Sequence, residues 1–427
     1  FRFSNFVICW LVHFSTTILF SILKNPTFLL FFLGNIVSLV GFGFNLVAVS
    51  WLVIQETGSE FALGKVMAIS TLPGLLIAVF SGFIIDKMNR KWLLVFLDAY
   101  RFLVILFFLV FLKYQEFTMN LLYPMVIFMG IGNSIFWPTA QAFVQEIVSK
   151  KEYFPANALL SASYQVGSII GAAAGGLIVH YYDPFTTLAL NAIAYLISGI
   201  LIYLAPFKKK SRNLEDENIL AEISRGFVYL KKKKSILLLG LTTIMSDVAI
   251  WGSLSVLTIA LSKNIFNAGS WGYGLMDGFY GIGALLSTLF IGILISIFSR
   301  KWSLLGFYVI AGAMSAISPL MPSIILAGFS YFFMGLANNS ARIIIRTIFM
   351  ENIENKVMGR VQTIFGVYTR IMVVTSAILS GWIVENSNVL IGMFFTAGHY
   401  LIAFIGTIIL IIFFKNSDIL INGNKNA

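Results

Sequence analysis

The chain alternates between long apolar runs and short polar connections along most of its length. A helix that crosses the hydrocarbon core of a bilayer needs about 20 predominantly apolar residues. Because backbone groups in lipid must be satisfied within the segment, runs of that length predict helices. We therefore predict an all-α membrane protein with twelve transmembrane helices, at residues 27–55, 63–85, 92–112, 120–145, 156–181, 185–206, 235–262, 272–297, 302–320, 323–347, 359–384 and 389–414.

One polar stretch is much longer than the other connections and separates two sets of six spans. Within it, Ile219, Ile223, Phe227 and Leu230 recur at helical spacing, which predicts an amphipathic helix at the membrane surface that positions the two halves. The predicted regions are an N-terminal apolar segment (1–26), a six-helix bundle (27–206), a cytoplasmic linker (207–234), a second six-helix bundle (235–414) and a cytoplasmic tail (415–427).

The N-terminal segment is nearly long enough to span a bilayer, but Arg2, Asn5 and His13 interrupt it. An interfacial helix is favoured over its two rivals, a thirteenth span and a processed signal-like segment.

Composition and charge favour a membrane location. Only 11% of residues are charged and 59% are hydrophobic, whereas soluble domains carry about 25% charged residues. The net charge of +11 comes from Lys and Arg that lie between apolar runs, so it indicates membrane topology and no nucleic-acid partner. With the first span starting in the cytoplasm, most basic residues fall on the cytoplasmic side, which predicts a multi-pass cell-membrane protein with cytoplasmic linker and C-terminus.

The two halves contain related segments. The run from Gly82 to Trp92 matches the run from Gly292 to Trp302 in a glycine, a basic pair and a tryptophan, and Glu146 and Glu351 also correspond. Matching loops fall on the same predicted membrane side. The halves are therefore expected to be parallel repeats about an axis along the membrane normal, with the substrate site between them.

The segment Gly82-x-x-x-Asp86-x-x-x-Arg90-Lys91 resembles the signature between helices two and three of the major facilitator superfamily. That resemblance implies the major facilitator fold and a cluster that latches the cytoplasmic side. Ordinary topogenic charge is the alternative interpretation. The predicted latch comprises Gly82, Asp86, Arg90, Lys91, Asp98 and Arg101.

A glycine-rich stretch in the fifth span resembles the antiporter signature of the drug-export branches, although Ala172 replaces the family's proline. Close packing of helices through small residues explains the same pattern equally well. The arginine that the family carries in the fourth helix is also absent, so a mechanism that depends on it does not transfer. The antiporter-type motif comprises Gly167, Gly171, Gly175 and Gly176.

Further stretches, including Thr71-Leu72-Pro73-Gly74, are similar to the macrolide-efflux and enterobactin-exporter branch of the superfamily. The resemblance implies export of a lipophilic or amphipathic small molecule, with macrolide-like drugs first, by proton antiport and alternating access. A siderophore or a lysophospholipid is the alternative cargo. Uptake by symport also stays open, since the same fold runs both ways.

Charged residues inside spans are functional candidates because each costs about 2.5–3.5 kcal/mol at a span centre. We assign proton coupling to Asp247, with Arg370 as its partner or as a substrate contact, while structural ion pairing is the alternative. Asp277 is expected near the outer mouth. Polar and aromatic positions suit a bulky ligand. The candidates are Asp247, Arg370, Asp277, Asn133, Trp137, Gln141 and Gln165.

Other chemistry finds little support in the sequence. Cys9 is alone, and the three histidines are far apart and form no metal signature. No phosphate-binding loop is present, so an ATP-driven pump is not indicated. We expect a non-enzymatic monomer without a cofactor, whose partners are cargo, protons and the lipid bilayer.

Overall fold

The computed structural model describes residues 22–149, 152–207, 219–353 and 355–413, and these residues form helices without a strand. Helices begin where side chains such as Asn25, Asn89 and Asp183 accept hydrogen bonds from first-turn backbone N–H groups. The first six helices are α1 (Pro26–Thr57), α2 (Glu60–Lys87), α3 (Arg90–Phe111), α4 (Met119–Ile147), α5 (Tyr153–Tyr181) and α6 (Pro184–Leu204).

The remaining helices begin at Ile219, inside the predicted linker. The expected loop between the eighth and ninth spans is reduced to a sharp break at Ser299, whose φ of 59° and ψ of 157° interrupt an otherwise continuous helix. The remaining helices are α7 (Ile219–Lys232), α8 (Lys234–Ile265), α9 (269–298), α10 (300–317), α11 (Ile324–Asn352), α12 (Asn355–Asn386) and α13 (Val389–Phe413).

Ten segments in the described part of the chain are long and apolar enough to cross a membrane. Helices α2 and α9 are further long helices beside those ten. The all-helical membrane architecture is therefore confirmed, while the count of twelve spans stays a prediction.

The amphipathic helix predicted in the linker is present as α7. Its Leu230 is buried in the core of the second half, and Gly226 packs against Arg360 and Ile364 of α12. Phe227, which was predicted for the same apolar face as Leu230, is exposed. Helix α7 is thus attached to the second half. Residues 1–21, which include the predicted N-terminal segment, and residues 208–218 of the linker lie outside the described part of the chain.

The two halves pack mainly through two helix pairs, α2 with α12 and α5 with α9. One hydrophobic core of the first half also takes in Val256, Tyr273 and Ala377 from the second. Gly64 meets Ala377, Gly381 meets Glu60 and Gly176 meets Ser270 towards the end where α1 joins α2 and α8 joins α9, which we call the α1–α2 end. The halves therefore meet closely there.

Candidate functional site

An ion pair between two helices of the second half forms the centre of the candidate site. Arg342 of α11 donates to one oxygen of Asp247 of α8, with Nε···Oδ1 and Nη2···Oδ1 distances of 3.0 and 2.6 Å. The side chains keep 19% and 34% of their exposure, respectively. The pair is thus accessible although both residues lie within helices that can span a bilayer.

Arg342, and not Arg370, is therefore the described partner of Asp247. Arg370 donates from Nη1 to the backbone oxygen of Gly74 in α2, at 2.7 Å. Its direction follows from helix geometry, since Arg370 shares a face of α12 with Ala377 and Gly381, which pack against α2. The prediction that Arg370 pairs with Asp247 was wrong, and its role as a substrate contact stays a prediction.

An aromatic bridge connects the halves beside this pair. Trp137 of α4 meets Tyr164 of α5 with ring centroids 5.5 Å apart, and Tyr164 meets Trp251 of α8 at 6.1 Å. Trp251 lies in a π-helical turn, Ala249–Leu254, an irregularity that is frequent at functional sites. Trp137, a candidate site residue from the sequence, is therefore linked by Tyr164 to the junction of the two halves.

Asp277 of α9 is a second carboxylate in this region. Tyr280 follows Asp277 on α9, and its hydroxyl accepts a hydrogen bond at 3.1 Å from Asn338, which lies one turn before Arg342 on α11. Asp277 and Tyr280 therefore lie on the part of α9 that approaches the Asp247–Arg342 pair, and we call these four residues the polar cluster. Sequence analysis did not select Tyr280, although it follows Asp277 by nearly one helical turn, and it placed the charged residue Arg342 in the tenth span without assigning it a partner.

The other predicted polar residues lie apart from that cluster or at its edge. Asn133 accepts a hydrogen bond from Nη1 of Arg101 at 3.1 Å, so its side chain is engaged in the interior of the first half. Gln165 is buried, with 9% exposure, and Gln141 is exposed one turn beyond Trp137. A ligand role for these three residues stays a prediction.

Asp98 and Arg101 form an enclosed ion pair in the first half, with side-chain exposures of 0% and 3%. Ser198 donates to the second oxygen of Asp98 at 2.7 Å, and Arg101 donates to Ser38 at 3.0 Å. The rings of Phe136 and Tyr195 lie 4.1 Å from the guanidinium carbon. The described partners of this pair therefore belong to α1, α4 and α6.

The repeat predicted from the sequence appears as two equivalent ion pairs. Arg90 of α3 lies 3.7 Å from Glu146 of α4, and Arg300 of α10 lies 2.5 Å from Glu351 of α11. The Lys91 ammonium lies 5.5 Å from the ring centroid of Trp92. The packing around Gly82 and the side chain of Asp86 lie outside what the structure describes, so the latch function of these residues stays a prediction.

The glycines of α5 serve close helix contacts on two sides. Gly167, Gly171 and Gly175 face α1, where Gly171 meets Gly43 backbone to backbone. Gly176 faces α9, where it meets Gly274. The small residues thus join α5 both to its own half and to the other, and a role in antiport stays a prediction.

Polar contacts hold the halves together at the α1–α2 end. Glu60 of α2 accepts a hydrogen bond from Asn264 at 3.0 Å and lies 3.7 Å from the Lys263 ammonium. Ser59 donates to Glu385 at 2.9 Å. Sequence analysis did not predict these contacts, because a single sequence does not show which acidic residues of one half face donors of the other.

Metal chemistry has no support among the described residues, where no group of three or more His, Cys, Asp or Glu side chains could hold an ion.

Comparisons with known proteins agree on the fold. A family model described as transmembrane secretion effector matches residues 17–419. The chain is 21% identical to the uncharacterized MFS-type transporter YvqJ of Bacillus subtilis (strain 168), over 82% of this chain and 84% of that protein. It is 20% identical to macrolide efflux protein A of Streptococcus pyogenes, over 83% and 89%. The solved structure of nucleoside transporter NupG superimposes with a TM-score of 0.71 and 12% identity, over 90% of this chain and 99% of that one.

Proposed function

Because the chain belongs to the transmembrane secretion effectors, transporters of the major facilitator type, we propose that it exports a lipophilic or amphipathic small molecule by proton antiport. The name of the relative macrolide efflux protein A supports macrolide-like drugs as the first cargo to test. We infer that it works as a monomer with twelve spans in the cell membrane.

The Asp247–Arg342 pair carries the coupling part of the proposal. Arg342 donates two hydrogen bonds to one oxygen of Asp247, and the 34% exposure of the Asp247 side chain leaves its carboxylate accessible to protons and cargo. Protonation would neutralise Asp247 and weaken its bond to Arg342. Cargo then meets an Arg342 guanidinium that has lost its counter-ion. The Asp247–Arg342 pair can thereby bind a proton and cargo alternately.

The contacts between the halves support a direction for alternating access. Positive-inside bias assigns the α1–α2 end to the outside, since α1 starts on the cytoplasmic side. The close packing at that end then corresponds to a conformation closed to the outside. Outward opening would have to separate Glu60 from Asn264 and Lys263. Rocking of one half against the other provides that motion.

Everted vesicles with an acidic lumen test the proposal. Erythromycin, a siderophore and a lysophospholipid are added in turn, and a fluorescent dye reports lumenal pH; vesicles without the protein correct for passive entry. We expect erythromycin to cause proton release with the wild type. Asp247→Asn should abolish this release, because the amide cannot exchange a proton.

The control is Glu116→Gln, which removes an exposed carboxylate in the turn between α3 and α4. It should release protons as the wild type does. Release by Asp247→Asn at the wild-type rate contradicts the assignment of Asp247. Absence of release with every compound contradicts proton antiport for these cargo classes.

A further inference from the structure

Helix α7 has two sides of different character. Gly226 and Leu230 are buried against the second half. Tyr229 donates from its hydroxyl to the backbone oxygen of Asn352 in α11, at 3.3 Å. Because these α7 positions are spaced by three and four residues, they share one side of the helix. The opposite side of α7 therefore points away from the core of the second half.

That outward side carries two apolar residues followed one turn later by lysines. Phe227 and Val228 keep 59% and 52% of their exposure. Lys231 and Lys232 are exposed as well, and each follows one of the apolar residues by four positions. All four side chains therefore lie on one side of α7. Exposed apolar groups beside ammonium groups are typical of a helix that lies in the membrane interface.

The basic run continues to the start of a membrane span. Lys233 and Lys234 are also exposed, and Lys234 is the first residue of α8, which is long and apolar enough to cross a bilayer. The lysines therefore lie where a span meets the membrane surface. We call Phe227, Val228 and the four lysines 231–234 the lysine patch.

No described acidic residue pairs with the lysine patch. Glu351 of α11 directly precedes Asn352, which α7 contacts, but its two oxygens already accept hydrogen bonds from Arg300. Four neighbouring ammonium groups repel one another, so an anion from another molecule stabilises them. Basic clusters beside a span or on an amphipathic helix are typical of sites for anionic lipids.

We propose that the lysine patch binds the anionic headgroup of a membrane phospholipid, with Phe227 and Val228 among its acyl chains. Positive-inside bias assigns this end of the molecule to the cytoplasmic side, so the lipid belongs to the cytoplasmic leaflet. The lysine stems cover apolar surface while their ammonium groups reach the phosphate. Since the other side of α7 packs on α11 and α12, a lipid bound here stabilises the second half. The site is separate from cargo binding and proton coupling.

Thermal unfolding of the purified full chain in dodecyl maltoside tests the proposal, because a ligand that binds only the folded protein raises its Tm. The added probes are dioleoyl phosphatidylglycerol and dioleoyl phosphatidylcholine, which share their acyl chains and differ in headgroup charge. The wild type should be stabilised at lower concentrations of phosphatidylglycerol than of phosphatidylcholine. A variant with all four lysines 231–234 replaced by glutamine should need roughly 10- to 100-fold more phosphatidylglycerol for the same rise in Tm, with an unchanged response to phosphatidylcholine.

Matched variants separate the lysine patch from charge in general. Replacement of the same four lysines by arginine keeps the charge and should retain the wild-type response. Lys65→Gln combined with Lys113→Gln removes two exposed lysines at the α1–α2 end and should also respond as the wild type does. Phe227→Ser should weaken the response to both lipids and leave the preference for phosphatidylglycerol, because it removes apolar contact and no charge.

Salt provides a second measurement on the wild type that does not depend on the folding of a variant. About 0.5 M sodium chloride should weaken the response to phosphatidylglycerol by screening and leave the response to phosphatidylcholine unchanged. A wild type that responds equally to the two lipids, or not at all to phosphatidylglycerol, overturns the proposal. So does a wild-type response in the glutamine variant, or an equal loss in the Lys65 and Lys113 variant. Because the assay contains no cargo, failure of erythromycin transport would leave this inference standing.

Discussion

Each half of the molecule holds an Asp–Arg pair within its helices, but the two pairs have different surroundings. Asp98 and Arg101 are enclosed, with side-chain exposures of 0% and 3%, whereas Asp247 and Arg342 retain 34% and 19%. Serines and aromatic rings saturate the first pair. The same two residue types therefore stabilise one half and remain accessible for chemistry in the other.

The largest expected effect breaks the enclosed pair. Asp98→Asn leaves the Arg101 charge buried without its counter-ion, and loss of one partner of a buried pair costs about 3–5 kcal/mol. Thermal unfolding of the purified protein should show a large fall in Tm. Glu116→Gln should melt as the wild type does. An unchanged Tm for Asp98→Asn would show that the pair is not structural.

A smaller effect is expected for one hydrogen bond of the enclosed pair. Ser198→Ala removes the donor to the second oxygen of Asp98, and hydrogen bonds to charged groups contribute about 1.5–3 kcal/mol. The matched control is Ser50→Ala, which removes an equally buried hydroxyl that bonds only to Leu46 of its own helix. If Ser198→Ala and Ser50→Ala have the same Tm, the hydrogen bond from Ser198 to Asp98 does not add to stability as the structure indicates.

The smallest effect on stability is expected at the accessible pair. Asp247→Asn should lower the free energy of unfolding by about 1 kcal/mol or less, because partly exposed ion pairs contribute little. The same melting assay measures it beside Asp98→Asn. If Asp247→Asn destabilises the protein as much as Asp98→Asn does, the two pairs do not differ as the structure indicates.

Much of the fold could be predicted from the sequence because its signals are local or repeated. The apolar runs predict the helices, helical spacing predicts α7, and the repeat predicts the correspondence of Glu146 with Glu351, which appear as equivalent ion pairs. These features depend on periodicity and on residues near one another in the chain.

The partners within the site could not be predicted in the same way. Periodicity places Asp247 and Arg370 within spans but does not fix which helix each side chain faces. Arg370 faces α2 because its side of α12 packs there, which leaves Arg342 beside Asp247. The π-helical turn that carries Trp251 also departs from the regular helical period on which a projection depends.

Accumulation of labelled erythromycin by proteoliposomes with an imposed inside-acid pH gradient tests the central claim most directly. Protein-free liposomes correct for passive trapping of the base. We predict that the wild type accumulates erythromycin above that control, whereas Asp247→Asn exchanges labelled for unlabelled erythromycin but does not accumulate it. Accumulation by Asp247→Asn at the wild-type level would contradict the claim that the Asp247–Arg342 pair couples protons to export.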